Sequence, residues 1–167
     1  MLRFSIAYFV WVGVLFTLFF FESFSPLFVI NQWQTEVTNL ITRGWVHAFD
    51  LPILLQANTL ILENGMHLHI VHECNGLVPY LLYLAAILAY PTPFRVKLNW
   101  VLLGYAAVMV INTIRMLLIT LVVLEDKSLF PLAHDWFGRY GVAILTLSLF
   151  FWFTSRAPIV EKEPVSS

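Results

Sequence analysis

Four long apolar runs, separated by polar segments, limit what this chain can fold into. A helix that crosses a bilayer needs about 20 mainly apolar residues, and the runs cover approximately residues 4–21, 75–90, 98–124 and 138–153. The chain of 167 residues is 60% hydrophobic and 11% charged, whereas soluble domains are about 45–50% apolar and about 25% charged. We therefore expect an α-helical integral membrane protein with about four transmembrane helices.

The first run, FSIAYFVWVGVLFTLFFF, has the apolar character of a secretory signal peptide. A cleaved signal ends in small residues, but the bulky sequence FESFSPLF follows this run. We therefore expect a retained membrane helix.

The distribution of lysine and arginine predicts the orientation. With four crossings, five of these residues lie on one side of the membrane and three lie on the other. The five are Arg3, Arg95, Lys97, Arg156 and Lys162, and the three are Arg43, Lys127 and Arg139. Because positive charge favours the cytoplasmic side, both termini are expected there and residues 31–74 outside. We expect one membrane-embedded domain over residues 1–155 and a disordered cytoplasmic tail over residues 156–167.

The outward segment is predicted to contain an amphipathic helix and a β-hairpin. Six apolar residues recur at spacings of three and four, which is typical of a helix lying along the membrane interface. They are Trp33, Val37, Leu40, Ile41, Trp45 and Phe49. Two β-prone runs then flank Asn64-Gly65, a pair that favours a type I′ hairpin turn.

Arg115 is a charged residue within the third run, about nine residues or 13 Å from the outer end of that run. A charge at that depth costs at least ~2.5 kcal/mol, so it should face protein or a polar cavity. Asn112 lies three residues earlier and therefore on the same helix face. A structural ion pair with a carboxylate is the alternative to a functional role.

Cys74 is the only cysteine in the chain. A lone cysteine in an apolar protein is usually a small buried hydrophobe. Three features favour a nucleophile instead. It faces the outside without a disulfide partner, it precedes a helix that Asn75 can cap, and Gly76 permits close approach of another backbone. A helix N-terminus stabilises a thiolate.

His134 is the histidine best placed to act as the base for this thiol. It precedes the fourth run and lies on the same predicted side as Cys74. Pro131 restricts the backbone of the segment that leads to it, and Asp135 is a natural N-cap. The pattern formed by His67, His69, His72 and Cys74 also admits a zinc site, although its spacing is not a standard metal pattern. We assign no role to those three histidines.

Three blocks of this sequence resemble, in order, the signature blocks of the exosortase/archaeosortase family. They are CNGLVPYLLYLAAILAYP, INTIRMLLITL and HDWFGRYG. The family pattern is Cys-Ser/Asn-Gly at a helix start, Asn-x-x-Arg within a membrane helix and a His before the last helix. The blocks cover roughly the C-terminal half of the chain, whose small size is most similar to the short bacterial branch, such as exosortase H.

The resemblance implies a cysteine transpeptidase of the bacterial inner membrane, with its active site facing the periplasm and no cofactor or metal. Its partners would be exported proteins that carry a C-terminal motif, a transmembrane helix and a basic tail, together with membrane lipid. Cys74 would attack the peptide, Arg115 would stabilise the oxyanion, and His134 would activate the thiol or protonate the leaving amine. Asn75, Gly76, Asn112 and Asp135 would support these groups.

Two other classes of function remain open from the residues. The protein could be a non-catalytic membrane subunit for binding or assembly, in which Cys74 only packs. It could also be a metal-dependent membrane hydrolase. The net charge of −1 argues against a nucleic-acid partner.

Overall fold

The computed structural model describes residues 2–23, 25–71 and 74–159, and helices dominate them. A three-stranded sheet and a helical run with irregular turns complete the fold. The helices are α1 (Leu2–Phe20), α2 (Phe28–Ala48), α3 (Leu77–Ala89), α4 (Phe94–Glu125), α5 (Phe130–Ala133) and α6 (Val142–Arg156). The strands are β1 (Ile53–Gln56), β2 (Thr59–Leu62) and β3 (His67–His69). A 3₁₀ turn (Lys127–Leu129) precedes α5, and a π-helix (His134–Gly141) joins α5 to α6.

Within the described residues, three helical stretches are long and apolar enough to cross a membrane. They are α1, α4 and the continuous run Lys127–Arg156. The predicted second span is α3, which has 13 residues and is therefore about 20 Å long. A hydrocarbon core is about 30 Å thick, so α3 ends well short of one membrane face. The fourth helical run begins at Lys127, before the predicted start at residue 138, because the helix continues through the loop that was predicted to face outward.

One end of the bundle gathers the start of α1, the α3–α4 loop and the end of α6. The ring of Phe4 lies 6.5 Å from that of Tyr90 and 6.2 Å from that of Phe150. The hydroxyl of Thr92 donates to the carbonyl of Pro158 at 2.8 Å. These contacts place three predicted cytoplasmic segments together, as four crossings require. The predicted tail begins inside α6, and its residues from 160 onward lie outside the described part of the chain.

The sheet covers the opposite end of the bundle. It has the antiparallel order β1-β2-β3, so the predicted hairpin is present with one more strand, β1. Leu60, Leu62 and Leu68 pack with Ile119 and Val123 of α4 in one apolar cluster. The amide of Asn64 donates to the carbonyls of Val123 and Leu124 at 2.6 and 3.3 Å. The sheet therefore caps the unpaired carbonyls that end α4.

The hairpin turn differs from the predicted type. A type I′ turn needs positive φ at both central residues, but only Gly65 has positive φ (81°) in this turn. The side chain of Asn64 accepts from the backbone N–H of Met66 at 3.1 Å. Asn64 therefore acts through its side chain, which caps α4 and closes the turn, and the expectation of a two-residue I′ turn is wrong.

Helix α2 turns its polar side inward. Its buried residues are Asn31, Gln34, Thr35, Thr38, Asn39 and Thr42. Trp33 and Leu40, on the apolar side, are 58% and 70% exposed. The helix is amphipathic as predicted, but its polar stripe contacts the protein and its apolar stripe faces outward. This arrangement suits a protein surrounded by lipid, because apolar side chains are stable there and polar groups need partners inside.

Helices α3 and α4 cross closely at Gly104. A Cβ atom at this position would lie 2.7 Å from Cζ of Tyr83, closer than van der Waals contact allows. The hydroxyl of Tyr83 donates to the carbonyl of Trp100 at 3.1 Å, which fixes the ring over the glycine. A small residue at the crossing is how membrane helices approach each other.

Substituting Gly104 by alanine should therefore destabilise the protein. The added methyl forces Tyr83 out of its buried position, and overpacking of this kind costs about 1–3 kcal/mol. The matched control is Gly13→Ala in α1, where a Cβ meets nothing within 4 Å. Thermal unfolding in detergent should show a lowered melting temperature for Gly104→Ala and an unchanged or raised one for Gly13→Ala. Equal melting temperatures for the two variants would contradict this account of the crossing.

Candidate functional site

Cys74, Arg115 and His134 line a single cavity. Its volume is about 740 Å³, and its wall is formed by α1, α3, α4, the π-helix and α6. Cys74 precedes α3, Arg115 belongs to α4, and His134 starts the π-helix. Three elements distant in sequence therefore bring a thiol, a guanidinium and an imidazole to one space. Their chemical roles remain predictions.

The backbone of Cys74 is held from two sides. Its N–H donates to the carbonyl of Val71 at 2.8 Å, and its carbonyl accepts from Nδ2 of Asn112 at 3.0 Å. The thiol is free and half-buried. These bonds fix the position of the main chain that carries the sulfur and leave the sulfur itself available to the cavity.

Asn75 is fully buried and organises the start of α3. Its Oδ1 accepts from the N–H of Leu77 at 2.9 Å, so it satisfies an N–H at the helix start as predicted. The cap position itself belongs to Gly76, one residue later than expected. The Nδ2 of Asn75 donates to Oδ1 of Asn31 at 2.7 Å and to the hydroxyl of Thr35 at 3.0 Å. The residue after the cysteine is therefore locked to α2.

Gly76 occupies a position that only glycine fits well. Its φ is +79°, in the left-handed region. A Cβ atom there would lie 3.0 Å from Cε of Met109 and 3.1 Å from Cβ of Asn112. The groups that approach Gly76 are side chains of α4, Met109 and Asn112, rather than the backbone that the sequence analysis expected.

The polar stripe of α2 also holds the carbonyl of Asn75, a contribution that the sequence analysis missed. Nε2 of Gln34 donates to this carbonyl at 3.2 Å, and the hydroxyl of Thr38 approaches it at 3.5 Å. The hydroxyl of Tyr105 in turn donates to Oε1 of Gln34 at 2.7 Å. The sequence signal for this contribution is the recurrence of polar residues at spacings of three and four along α2.

Arg115 is buried and lacks an ionic partner among the described residues. It is 9% exposed, and its Nη1 donates to Oδ1 of Asn112 at 3.2 Å. Its Nε has no hydrogen-bond partner in the described part of the chain. The ion pairs of that part join His134, Asp135 and Arg139 and do not include Arg115. Such a cation beside a cavity is suited to bind an anion.

Helix α4 is longer than a membrane crossing requires. It has 32 residues and is about 48 Å long, whereas the hydrocarbon core is ~30 Å thick. Arg115 lies about 27 Å along this helix from Lys97. Part of α4 therefore extends beyond a layer of that thickness, and the sheet packs against the end of α4 that is nearer to Arg115.

His134 begins the π-helix, inside a continuous helical run. Its ring packs against that of Phe130, with centroids 5.4 Å apart. A π-helix widens the turn and is often found at functional sites. Gly138, one turn later, lines the cavity, and a Cβ atom there would lie 3.4 Å from Nη2 of Arg115. The π-helix thus places Gly138 against the guanidinium, and the same Cβ position would lie 3.7 Å from Cδ2 of His134.

The N-cap assigned to Asp135 is wrong, because the helical run starts earlier. The carboxylate of Asp126 accepts from the N–H of Ser128 at 2.8 Å and occupies the cap position. Hydrogen bonds from the side chain and backbone of Ser128 lower the pKa of Asp126. Asp135 lies 3.4 Å from Nη1 of Arg139 and 3.7 Å from Nδ1 of His134. It is therefore in ion-pair range of the imidazole but beyond hydrogen-bond distance.

The histidines of β3 do not form a metal cluster with the other described residues. His67 and His69 share the exposed face of the strand, as their alternation predicted, and Leu68 points to the core. Nδ1 of His69 is hydrogen-bonded with the hydroxyl of Thr59 at 2.9 Å. His72 and Glu73 lie outside the described residues.

Asn112 should be required for the stability of this arrangement. Asn112→Ala removes the donor to the Cys74 carbonyl and leaves Nη1 of buried Arg115 without its acceptor, a loss of about 1–3 kcal/mol. Asn99→Ala, at an exposed position of the same helix, is the matched control. Thermal unfolding should show a lower melting temperature for Asn112→Ala only, and the rate of Cys74 alkylation should change with it. A melting temperature equal to that of Asn99→Ala would show that the hydrogen bonds of Asn112 to Cys74 and Arg115 do not stabilise the site.

Comparison with known proteins adds one match. The family model described as Transmembrane exosortase (Exosortase_EpsH) matches residues 2–159. No curated protein and no solved structure matches the chain. The matched range contains every element described above and all seven predicted site residues.

Proposed function

Because the chain belongs to the transmembrane exosortase family, we propose that it is a membrane-embedded cysteine transpeptidase that processes the C-terminal sorting signals of exported proteins. The proposed substrates carry a short motif, a transmembrane helix and a basic tail at their C-terminus. The proposed location is the bacterial inner membrane, with the cavity facing the periplasm, as the distribution of Lys and Arg favours.

The observation that carries this proposal is the shared cavity. A buried guanidinium without an ionic partner among the described residues lies on the wall that also carries a free thiol and an imidazole. The thiol supplies a nucleophile, the imidazole a proton acceptor and donor, and the cation a partner for negative charge. If Cys74 had only a packing role, neither Arg115 nor His134 would need to lie at the same cavity.

In the first step, Sγ of Cys74 attacks the carbonyl carbon of the scissile peptide bond after His134 has taken the thiol proton. The carbonyl oxygen becomes an oxyanion, and Arg115 stabilises it. Removing one such donor from an enzyme reduces kcat about 10²–10³-fold. The carbon–nitrogen bond then breaks, and His134 returns the proton to the leaving amine. A thioester on Cys74 and a released membrane tail result.

In the second step, a nucleophile from the cell envelope attacks the thioester carbonyl. The new bond joins the exported protein to this acceptor, and the carbon–sulfur bond breaks. His134 accepts the proton of the acceptor and passes it to the departing thiolate. Cys74 is regenerated as a thiol, and no redox partner is needed. With water as the acceptor, the same steps give hydrolysis.

The first test is substitution of Cys74 in cells that export a sorting-signal reporter. The reporter is a soluble exported domain fused to the C-terminal motif, membrane helix and basic tail of a protein from the same genome. Cys74→Ala should abolish removal of the tail on an immunoblot. Ser148→Ala, an exposed hydroxyl on α6, should process normally. Normal processing by Cys74→Ala would refute the thiol mechanism, and loss of processing on chelation together with that result would favour a metal-dependent hydrolase.

Arg115 and His134 are tested by the same reporter. Arg115→Lys keeps the charge but loses the planar donors, so processing should fall by about 10²-fold or more. His134→Gln keeps a hydrogen-bonding side chain but cannot transfer the proton, and the fall should be about 10²–10⁴-fold. Arg95→Lys, at an exposed position of the helix that also carries Arg115, is the control. Full activity of either catalytic variant would remove that residue from the mechanism.

A further inference from the structure

Two successive peptide carbonyls at the proposed nucleophile are held by two different helices. The carbonyl of Cys74 accepts from Nδ2 of Asn112 on α4 at 3.0 Å. The carbonyl of Asn75 accepts from Nε2 of Gln34 on α2 at 3.2 Å. Because a peptide group is planar, each of these bonds orients a whole peptide plane. The position of the thiol therefore depends on α2 as well as on α4.

Gln34 is the principal donor from α2 to the carbonyl of Asn75. Its side chain lies inside the protein, and the residue is only 2% exposed. The hydroxyl of Thr38 lies 3.5 Å from the same carbonyl, but it donates to the main-chain carbonyl of Gln34 at 2.9 Å. The shorter distance is the one typical of a hydrogen bond. Thr38 therefore serves mainly its own helix, and Gln34 serves the segment that follows the cysteine.

Tyr105 fixes the direction in which the amide of Gln34 points. An amide accepts through its oxygen and donates through its nitrogen, and the hydroxyl of Tyr105 donates to Oε1 at 2.7 Å. The nitrogen then lies on the other side, where it meets the carbonyl of Asn75 and Sδ of Met109. A reversed amide would place its oxygen against these two groups, neither of which can donate. The ring of Tyr105 is itself packed on that of Tyr80, with centroids 5.2 Å apart.

One face of α4 reaches both carbonyls. Tyr105, Met109 and Asn112 follow one another at spacings of four and three, which places them on the same side of the helix. Cε of Met109 would lie 3.0 Å from a Cβ atom at Gly76, so this face packs on the start of α3. Asn112 acts on the first carbonyl directly, and Tyr105 acts on the second through Gln34. An amide that only joined α2 to α4 would not need its nitrogen at the carbonyl beside the cysteine.

We propose that Gln34 is a positioning residue for Cys74, and that Tyr105 acts through Gln34 by holding its amide in the donating orientation. The proposal rests on the proposed function and adds two residues that touch no reacting atom. The residues that line the cavity include neither Gln34 nor Tyr105, so both act through the main chain next to Cys74. A misplacement of about 1 Å at a reacting group can cost about 10²-fold in rate.

Gln34→Met tests the positioning role, because methionine has nearly the same size and shape but cannot donate to a carbonyl. With the purified protein in detergent and the sorting-signal reporter, kcat for tail removal should fall by about 10²-fold. KM should be unchanged, because Gln34 does not line the cavity. The control is Thr42→Val, which removes a buried hydroxyl that donates within α2, to the carbonyl of Thr38 at 2.8 Å. A lowered melting temperature is expected for both variants, but a lowered kcat only for Gln34→Met.

Tyr105→Phe tests the second part of the proposal. It removes one hydroxyl and keeps the ring that packs on Tyr80, so kcat should fall less than in Gln34→Met. In a protein that already carries Gln34→Met, Tyr105→Phe should lower kcat no further. Independent effects of the two substitutions would overturn the action of Tyr105 through Gln34. If Gln34→Met does not fold, Tyr105→Phe alone decides, and a wild-type kcat in that variant would overturn the proposal.

A nitrile on the thiol reports its surroundings without catalysis. Cys74 is the only cysteine, so cyanylation places a single thiocyanate on the protein. Its infrared band broadens when the group samples more than one environment. The band should be broader in Gln34→Met and Tyr105→Phe than in the wild-type protein, and unchanged in Thr42→Val.

The outcomes distinguish this proposal from the proposed function. A wild-type nitrile band in Gln34→Met would overturn the positioning role even if Cys74→Ala is inactive. A broadened band, together with undiminished tail removal by Cys74→Ala, would support the positioning of the thiol and refute the thiol mechanism. Equal losses of kcat in Gln34→Met and Thr42→Val would indicate a general effect of buried polar groups in α2 and would also overturn the proposal.

Discussion

The side-chain amide of Asn112 is the contact on which the site depends. Its Nδ2 donates to the carbonyl of Cys74, and its Oδ1 accepts from Arg115. One buried group on α4 therefore fixes the main chain of the thiol and the guanidinium at the same time. An amide is suited to this place because it donates through its nitrogen and accepts through its oxygen, whereas an ionised carboxylate could only accept.

The rest of the fold holds the segments that these two hydrogen bonds of Asn112 join. The polar stripe of α2 binds Asn75 from the other side, and Gly76 allows α4 to approach the start of α3. The sheet then holds the outer end of α4 through Asn64 and an apolar cluster. These buried polar groups are stable because many of them hydrogen-bond to one another inside the protein, while apolar residues of α2 such as Trp33 and Leu40 are exposed. The proposed chemistry thus depends on the polar side of α2, which lies inside the protein.

Much of this site could be predicted from the sequence, because rare residues in an apolar chain have few explanations. One cysteine, one intramembrane arginine and one histidine before the last apolar run suggested a common site, and the structure places all three at one cavity. The apolar stripe of α2 indicates a helix at the membrane interface, but spacing alone does not say which protein groups its polar stripe contacts, so the bonds to Asn75 could not be predicted. The π-helix at His134, the early start of the last helical run and the strand β1 were also missed. These depend on contacts between distant segments, which local spacing does not encode.

Trapping of the covalent intermediate tests the central claim most directly. The purified protein in detergent is mixed with the sorting-signal reporter, stopped in acid and examined by mass spectrometry for an adduct on the peptide that contains Cys74. The account predicts the reporter joined to Cys74 through a thioester, released by neutral hydroxylamine and absent from Cys74→Ala. Removal of the reporter's tail with no adduct on Cys74, and at an undiminished rate in Cys74→Ala, would contradict it.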